Sequence, residues 1–353
     1  MAENGLGLLR FPPIIRGPPP RTVRESRGEF NPKIHSNRDF HGATEAGPLT
    51  GDGHKPIVET LFFSTRGDDR PVPEIAYVNG EFLPLERATV RVEDRGFQFA
   101  DGVYEVLRTY GGKPFAVTEH LARLARSLGA LELKAPANTE HLKSIIHEGI
   151  QRSGFAEATV YLQITRGCAP RHRGMPTGVE PTIVMTVREL GPAATTLRGT
   201  GIAVVTLPEF RWARCDIKSI ALLPSVLAYR AANKAGADDA IFVEDDGTVN
   251  EATGANVFVV TRGRLRTPPI STRILPGVTR DKILEVARAA GIATAEEAIT
   301  KSELHAAAEV FLTSTTAVVV PVATVDGQQI GTGKPGPVSA RVYEQFARMF
   351  IRQ

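Results

Sequence analysis

The sequence predicts an α/β (α+β) protein of two domains, on three observations. Strand-like runs meet at Asn79-Gly80 and again at Gly111-Gly112, dipeptides suited to tight hairpins. Leucine and isoleucine recur at helical spacing in several longer segments. The strand and helix pattern then ends near residue 190 and restarts after a polar link, GPAATTLRG, which separates residues 71–191 from residues 192–353.

Residues 1–70 precede both domains. FPPIIRGPPPRTVRESRGEFNPK and ATEAGPLTGDGHK are rich in proline, glycine and charge and carry no sustained period, so they predict a disordered or added extension. Glu3, Glu25 and Glu29 argue against a transit peptide, and no uninterrupted apolar core suggests a secretory signal. Next, EIAYVNGEFLPL predicts a hairpin and GVYEVLRTYGGKPFAV a second one. TEHLARLARSLG predicts a helix through Leu121, Leu124 and Leu128 that stops at Gly129; another spans 139–154 through Leu142, Ile145, Ile146 and Ile150. ATVYLQITRG and PTIVMTVREL predict strands that complete the first domain.

In the second domain IAVVTLP predicts a strand and LPSVLAYRAANKAG a helix. DAIFVEDDG, NVFVVTRG and RLRTPP predict strands, and TRDKILEVARAAG a helix. EVFLTSTTAVVVPVATVDG reads as extended, and VSARVYEQFARMF as a closing amphipathic helix.

Composition removes several functions. Forty-two basic against 39 acidic residues leave a net charge of +3, without a basic stripe that would call for nucleic acid. The two cysteines and eight histidines form no paired metal-ligand motif, so no metal is expected. Two cysteines in 353 residues also fit a reducing compartment, and no apolar run spans a bilayer, which predicts a cytoplasmic protein with no membrane partner.

Five stretches can carry chemistry, and each has an ordinary alternative. In CDIKSIALLP, Lys218 stands among apolar neighbours: either its stem lies over the surface with the ammonium in water, or it is desolvated to act as a nucleophile. ILPGVTRDKIL turns at Pro276-Gly277 into a helix whose first turn holds Val278, Thr279 and Arg280; this is an anion site or a capped helix start. In FLTSTTAVVVP, Ser314, Thr315 and Thr316 offer phosphate donors or make a turn. In VNEATGANVFVV, Glu251 heads a small-residue turn, either in solvent or placed to hold a heterocycle nitrogen protonated. TRGCAPRHRGMP carries Arg166, Arg171, His172 and Arg173, guanidinium forks for a carboxylate or a solvated basic loop. Taken together they describe what pyridoxal phosphate needs, because its aldehyde, phosphate and ring nitrogen must be held separately.

The order of EDRGFQFADGVYEVLRTYGGKPFAVTEHLARL, RWARCDIKSIALLPSVLA, EATGANVFVV, ILPGVTRDKIL and VFLTSTTAVVVPV resembles the fold-type IV pyridoxal-phosphate enzymes. That is the branched-chain and D-amino-acid aminotransferase family, and the chain is most similar to its D-amino-acid members. The resemblance covers residues from about 75 onward. It implies a sandwich-like N-terminal α/β domain, a C-terminal pseudo-barrel that binds pyridoxal 5′-phosphate, and ping-pong transamination between a D-amino acid and a 2-oxo acid. Lys218 would form the Schiff base and shuttle the proton, and Glu251 would pair with the ring nitrogen. Leu275 would pack on the ring, with Val278, Thr279, Ser314, Thr315 and Arg123 around the phosphate. Tyr104 would stand near the substrate carboxylate.

The resemblance also implies a homodimer in which the Arg171 loop reaches into the partner's site. There the D-amino-acid enzymes carry Arg-x-His, and here Arg173 stands in the histidine's place, a second guanidinium that suits a carboxylate or points away. The same cofactor and lysine also serve branched-chain aminotransferases, (R)-selective amine transaminases and aminodeoxychorismate lyases. A non-catalytic relative would be expected to lack Lys218, Glu251 or Thr279, and all three are present.

Overall fold

The computed structural model describes residues 74–136, 138–191 and 199–351. The expected N-terminal extension and most of the GPAATTLRG link lie outside the described residues.

Asn79 and Gly80 both take positive φ, 47° and 108°, the conformation a two-residue hairpin turn demands. They join β1 (Ile75–Val78) to β2 (Glu81–Pro84). The second hairpin joins β3 (Gly102–Tyr110) to the short β4 (Lys113–Pro114). With β5 (Ala158–Thr165) and β6 (Thr182–Glu189) they form an antiparallel sheet of order β2-β1-β6-β5-β3-β4. A short helix not foreseen in the sequence, α1 (Arg95–Phe99), precedes β3 and is capped by the Asp94 side chain. The two expected helices are α2 (Val117–Ala130) and α3 (Thr139–Ser153). Their periodic leucines and isoleucines pack with Leu107, Val160, Leu162 and Met185 of the sheet in one buried cluster. Each fully buried aliphatic side chain there contributes about 1.5–3 kcal/mol.

The remaining strands make the second sheet: β7 (Ile202–Pro208), β8 (Asp239–Val243), β9 (Val249–Ala252), β10 (Asn256–Thr261), β11 (Arg264–Thr267), β12 (Thr294–Glu296), β13 (Glu309–Thr313), β14 (Val320–Val325) and β15 (Gln328–Gln329). Strand β9 pairs with β8 on one side and with β10 on the other, so the ring β10-β13-β14-β7-β8-β9 closes. One buried cluster takes Val204, Ile241, Val249, Val257, Val310 and Val322 from the six ring strands. The alternate residues Phe258 and Val260 belong to a second cluster, beneath α5 (Val278–Ala289) and α7 (Pro337–Phe346). That alternation is what a filled barrel with helices outside requires, and it explains why these strands read as continuous apolar runs. Helix α4 (Leu223–Lys234) covers β7 and β8 through Ala228 and Ala232, and the short α6 (Lys301–His305) precedes β13.

Two further details depart from the sequence reading. The run 309–325 is not one extended segment: β13 stops at Thr313, and a turn ending in Val318, at φ 64°, leads to β14. A β-branched residue in that region is strained, and no local signal marks it. Glu251 lies inside β9, and the small-residue turn follows it at Thr253, Gly254 and Ala255. The single pair that closes the ring is Glu251 with Asn256.

Candidate functional site

The segment around Lys218 is fastened at both ends by its backbone. The Cys215 amide donates to the Thr272 carbonyl at 2.7 Å, and the Ile220 amide to the Gly102 carbonyl at 3.1 Å. Between them the Tyr104 amide donates to the Lys218 carbonyl, and the Lys218 amide to Ser127 Oγ. Ile217 is buried in the cluster beneath the first sheet. The chain is thus stretched along the start of β3, with the Lys218 side chain directed across the Tyr104 ring, Nζ 4.2 Å from its centroid. Tyr104 in turn stacks on Tyr161 at 5.5 Å. Lys218 is half-buried on an aromatic face.

Glu251 faces the same space from the closure of the barrel. Its Oε1 accepts from Arg211 Nη1 at 2.6 Å, and its Oε2 from the Leu275 amide at 3.0 Å and Asn256 Nδ2 at 3.2 Å. Asn256 Nδ2 also donates to the Leu275 carbonyl, so one side chain holds both Glu251 and the Leu275–Gly277 turn. Burial pushes the Glu251 carboxyl up, opposed by the Arg211 guanidinium, the Leu275 amide and Lys218.

On the third side α5 begins. Gly277 is its N-cap and has no capping side chain, so Thr279 sits inside the first turn and is not the cap. The open N–H groups and the positive end of the helix dipole face the cavity beside Val278 and Thr279. Arg123, from α2, donates to the Pro276 carbonyl at 3.1 Å. Its Nε and Nη2 grip both oxygens of Glu105 at 2.8 Å, and His120 Nδ1 lies 2.8 Å from the same carboxylate. Burial would raise the Glu105 carboxyl, yet Arg123 and His120 bring it down to about 2; burial holds His120 below its usual range. Ser314 and Thr315 stand at the end of β13, and the carbonyl of the following Thr316 accepts from the buried Arg108 of β3.

A cavity of ≈ 280 Å³ brings together Lys218, Glu251, Tyr104, Arg123, Leu275, Val278, Thr279, Ser314 and Thr315, every expected position outside the arginine loop. Arg171 and Arg173 are exposed and outside it. The Arg171 guanidinium lies 4.7 Å over the Phe99 ring, and Arg95 Nη1 holds the His172 carbonyl at 2.7 Å. Arg211, Asn256 and Glu105 were not singled out from the sequence. All three lie in segments quoted above, but polar side chains buried by tertiary contact leave no periodic mark.

The description amino-transferase class IV belongs to the family model that matches residues 102–325. A D-alanine aminotransferase of Bacillus licheniformis is 40% identical over 264 residues, covering 75% of this chain and 93% of that protein. One of Staphylococcus haemolyticus is 39% identical over 271 residues, covering 76% and 95%. Among solved structures, the branched-chain amino acid aminotransferase of Escherichia coli superposes with a TM-score of 0.73 at 28% identity, covering 79% of this chain and 94% of that one. A T.th. branched-chain amino acid aminotransferase with pyridoxamine 5′-phosphate gives 0.71 at 28% identity, covering 77% and 93%.

Proposed function

The chain belongs to the amino-transferase class IV family, and on that premise we propose that it is a D-amino-acid transaminase. With pyridoxal 5′-phosphate as cofactor, it moves an amino group between a D-amino acid of the D-alanine type and a 2-oxo acid such as 2-oxoglutarate. One observation carries the reading: a lysine, a braced carboxylate and an uncapped helix start with an arginine share one cavity. Identity of 37–40% to D-alanine aminotransferases, against 27–28% to the branched-chain structures named above and their relatives, supports the D-amino-acid assignment.

The donor set fits the cofactor. Val278, Thr279 and the first turn of α5, with Arg123, Ser314 and Thr315, offer donors for a phosphate dianion. Leu275 supplies an apolar surface for a ring, and Glu251 a carboxylate for its nitrogen. When bound, the cofactor supplies an aldehyde for the amine being transferred and a protonated ring that draws charge from the substrate Cα.

Lys218 Nζ would hold the cofactor through its aldehyde and, when free and neutral, would take the proton from the substrate Cα. The Tyr104 face beneath Nζ limits where the amine travels. Glu251, fixed by Arg211 at one oxygen and by the Leu275 amide and Asn256 at the other, would accept a hydrogen bond from the protonated ring nitrogen.

A second copy of the chain completes the site in this reading. Arg171 and Arg173 lie outside their own cavity, which suits delivery to a partner's substrate carboxylate. Trp212, Leu223, Val226 and Leu227 leave exposed apolar surface beside the cavity, which supports a homodimer. Both cysteines are free, which supports a reducing, cytoplasmic setting, and no described helix is long and apolar enough to cross a membrane.

Purified protein is expected to transfer the amino group of D-alanine, not L-leucine, to 2-oxoglutarate in a coupled assay of oxo-acid release. Transfer from L-leucine alone would overturn the D-amino-acid reading. Gly277→Ala tests the phosphate turn: a Cβ there would stand 2.1 Å from Asn256 Oδ1, and Asn256 cannot retreat without releasing Glu251 and Leu275. Its Kd for pyridoxal phosphate, measured on apoprotein, is expected to rise about tenfold or more, equivalent to about 1.4 kcal/mol. An unchanged Kd would mean that the turn does not hold the phosphate.

A further inference from the structure

Arg211 lies between two carboxylates. Its side chain is 9% exposed and its guanidinium lies 4.3 Å over the Phe242 ring. Nη1 donates to Glu251 Oε1 at 2.6 Å, while Nε and Nη2 donate to Glu209 at 2.9 and 2.6 Å. Nη2 also donates to the Arg273 carbonyl at 3.1 Å, so the fork cannot rotate freely. Glu209 accepts from Asn250, which bridges to Glu244, and Glu244 is paired with Arg273. Three carboxylates therefore face two guanidinium groups in this network. Glu244 is partly exposed and lines a separate cavity, so solvent reaches its charge. Of the three, only Glu251 lines the cavity of Lys218, where it faces any cation bound there.

On the function proposed above, that cation is the protonated ring nitrogen. A carboxylate and a pyridine share a single proton. Where water is excluded, the neutral arrangement, with the proton on the carboxyl, is favoured unless another cation stabilises the anion. We propose that Arg211, clamped by Glu209, is a positioning residue that keeps Glu251 ionised and so keeps the shared proton on the cofactor's ring nitrogen. Glu209 and Glu251 push the Arg211 guanidinium up against the opposing effect of burial, consistent with a permanent charge at this point. Without it, the Leu275 amide, Asn256 and the more distant Lys218 alone would resist the effect of burial on Glu251.

The test uses holoenzyme loaded with pyridoxal phosphate labelled with 15N in the ring, whose nitrogen resonance separates pyridinium from neutral pyridine. Wild type is expected to show pyridinium; neutral pyridine there would overturn the proposal, whereas a chain that binds no cofactor would overturn the function proposed above. Arg211→Met combined with Glu209→Gln removes the cation together with its other carboxylate and is expected to move the signal to neutral pyridine. Arg211→Lys keeps the charge and is expected to keep pyridinium, a rescue that a merely space-filling role would not produce. Pyridinium retained in the double variant, or neutral pyridine in Arg211→Lys, would overturn the proposal. If the double variant does not hold the cofactor, Arg211→Gln with Glu209→Gln is read in its place, neutral pyridine supporting the proposal and pyridinium overturning it.

Discussion

Lys218→Ala is expected to lower transamination on the order of 10⁴-fold or more, because on the proposed function it removes both the amine that would hold the cofactor and the base that would move the Cα proton. The fold should hardly change. The segment is anchored by its backbone, through Cys215, Lys218 and Ile220, and an alanine keeps every one of those bonds. The side chain itself contributes a contact with the Tyr104 face, worth about 0.5–1 kcal/mol where it is half exposed. Melting temperatures should therefore differ by only about 2 °C. The yellow absorbance of the bound cofactor should also be lost on gel filtration, since nothing then joins it covalently to the chain. A variant that retained the colour and a tenth of the activity would show that another amine does this work.

Glu105→Gln is expected to have the largest effect on stability. The substitution keeps the shape but leaves the Arg123 guanidinium buried beside a neutral amide, and breaking a buried pair from one side costs about 3–5 kcal/mol. The effect depends on pH in a definite direction. Glu105 is held down at about 2 in the folded chain, against an ordinary value of 4.5. At pH values between these the unfolded chain takes up a proton that the folded chain refuses. Its contribution, about 3 kcal/mol by linkage, is fully present above pH 4.5 and is lost as the pH falls toward 2. Urea denaturation of both proteins should show a gap that is constant from pH 5 to 7 and narrows at pH 3. A gap of the same size at pH 3 would mean that the ion pair is not its source. Because the same carboxylate aims Arg123 at the Pro276 carbonyl, cofactor affinity should weaken as well.

Much of this was legible in the chain itself because the signals are local. Asn79-Gly80 forces a hairpin through its own φ preferences, and the leucine spacing of 117–130 needs only a period to be read. Lys218, Glu251 and Thr279 stood out because each interrupts an apolar or small-residue context. Whether Thr279 caps the helix was not local: Gly277 is the N-cap, which leaves Thr279 inside the first turn. The turn at Val318 was hidden inside a β-branched run, since its left-handed backbone is imposed by the packing around it and not by its residue type.

The sequence by itself determined the two α/β halves, the helices and hairpins, and the lysine, acid and hydroxyl groups proposed here for a pyridoxal-phosphate site. Only the tertiary structure decided how the second sheet closes, at the pair of Glu251 and Asn256, and which charges surround that closure. Arg211 and Glu209 sit two residues apart in the chain, but their meaning depends on Glu251, forty residues away from Arg211. Likewise Arg123 acquires its fixed aim from Glu105 on a neighbouring strand. Residue type and spacing specify local backbone and the inventory of groups. The ionisation of a buried carboxylate is set by what lies within a few ångströms of it, and only the folded chain decides that.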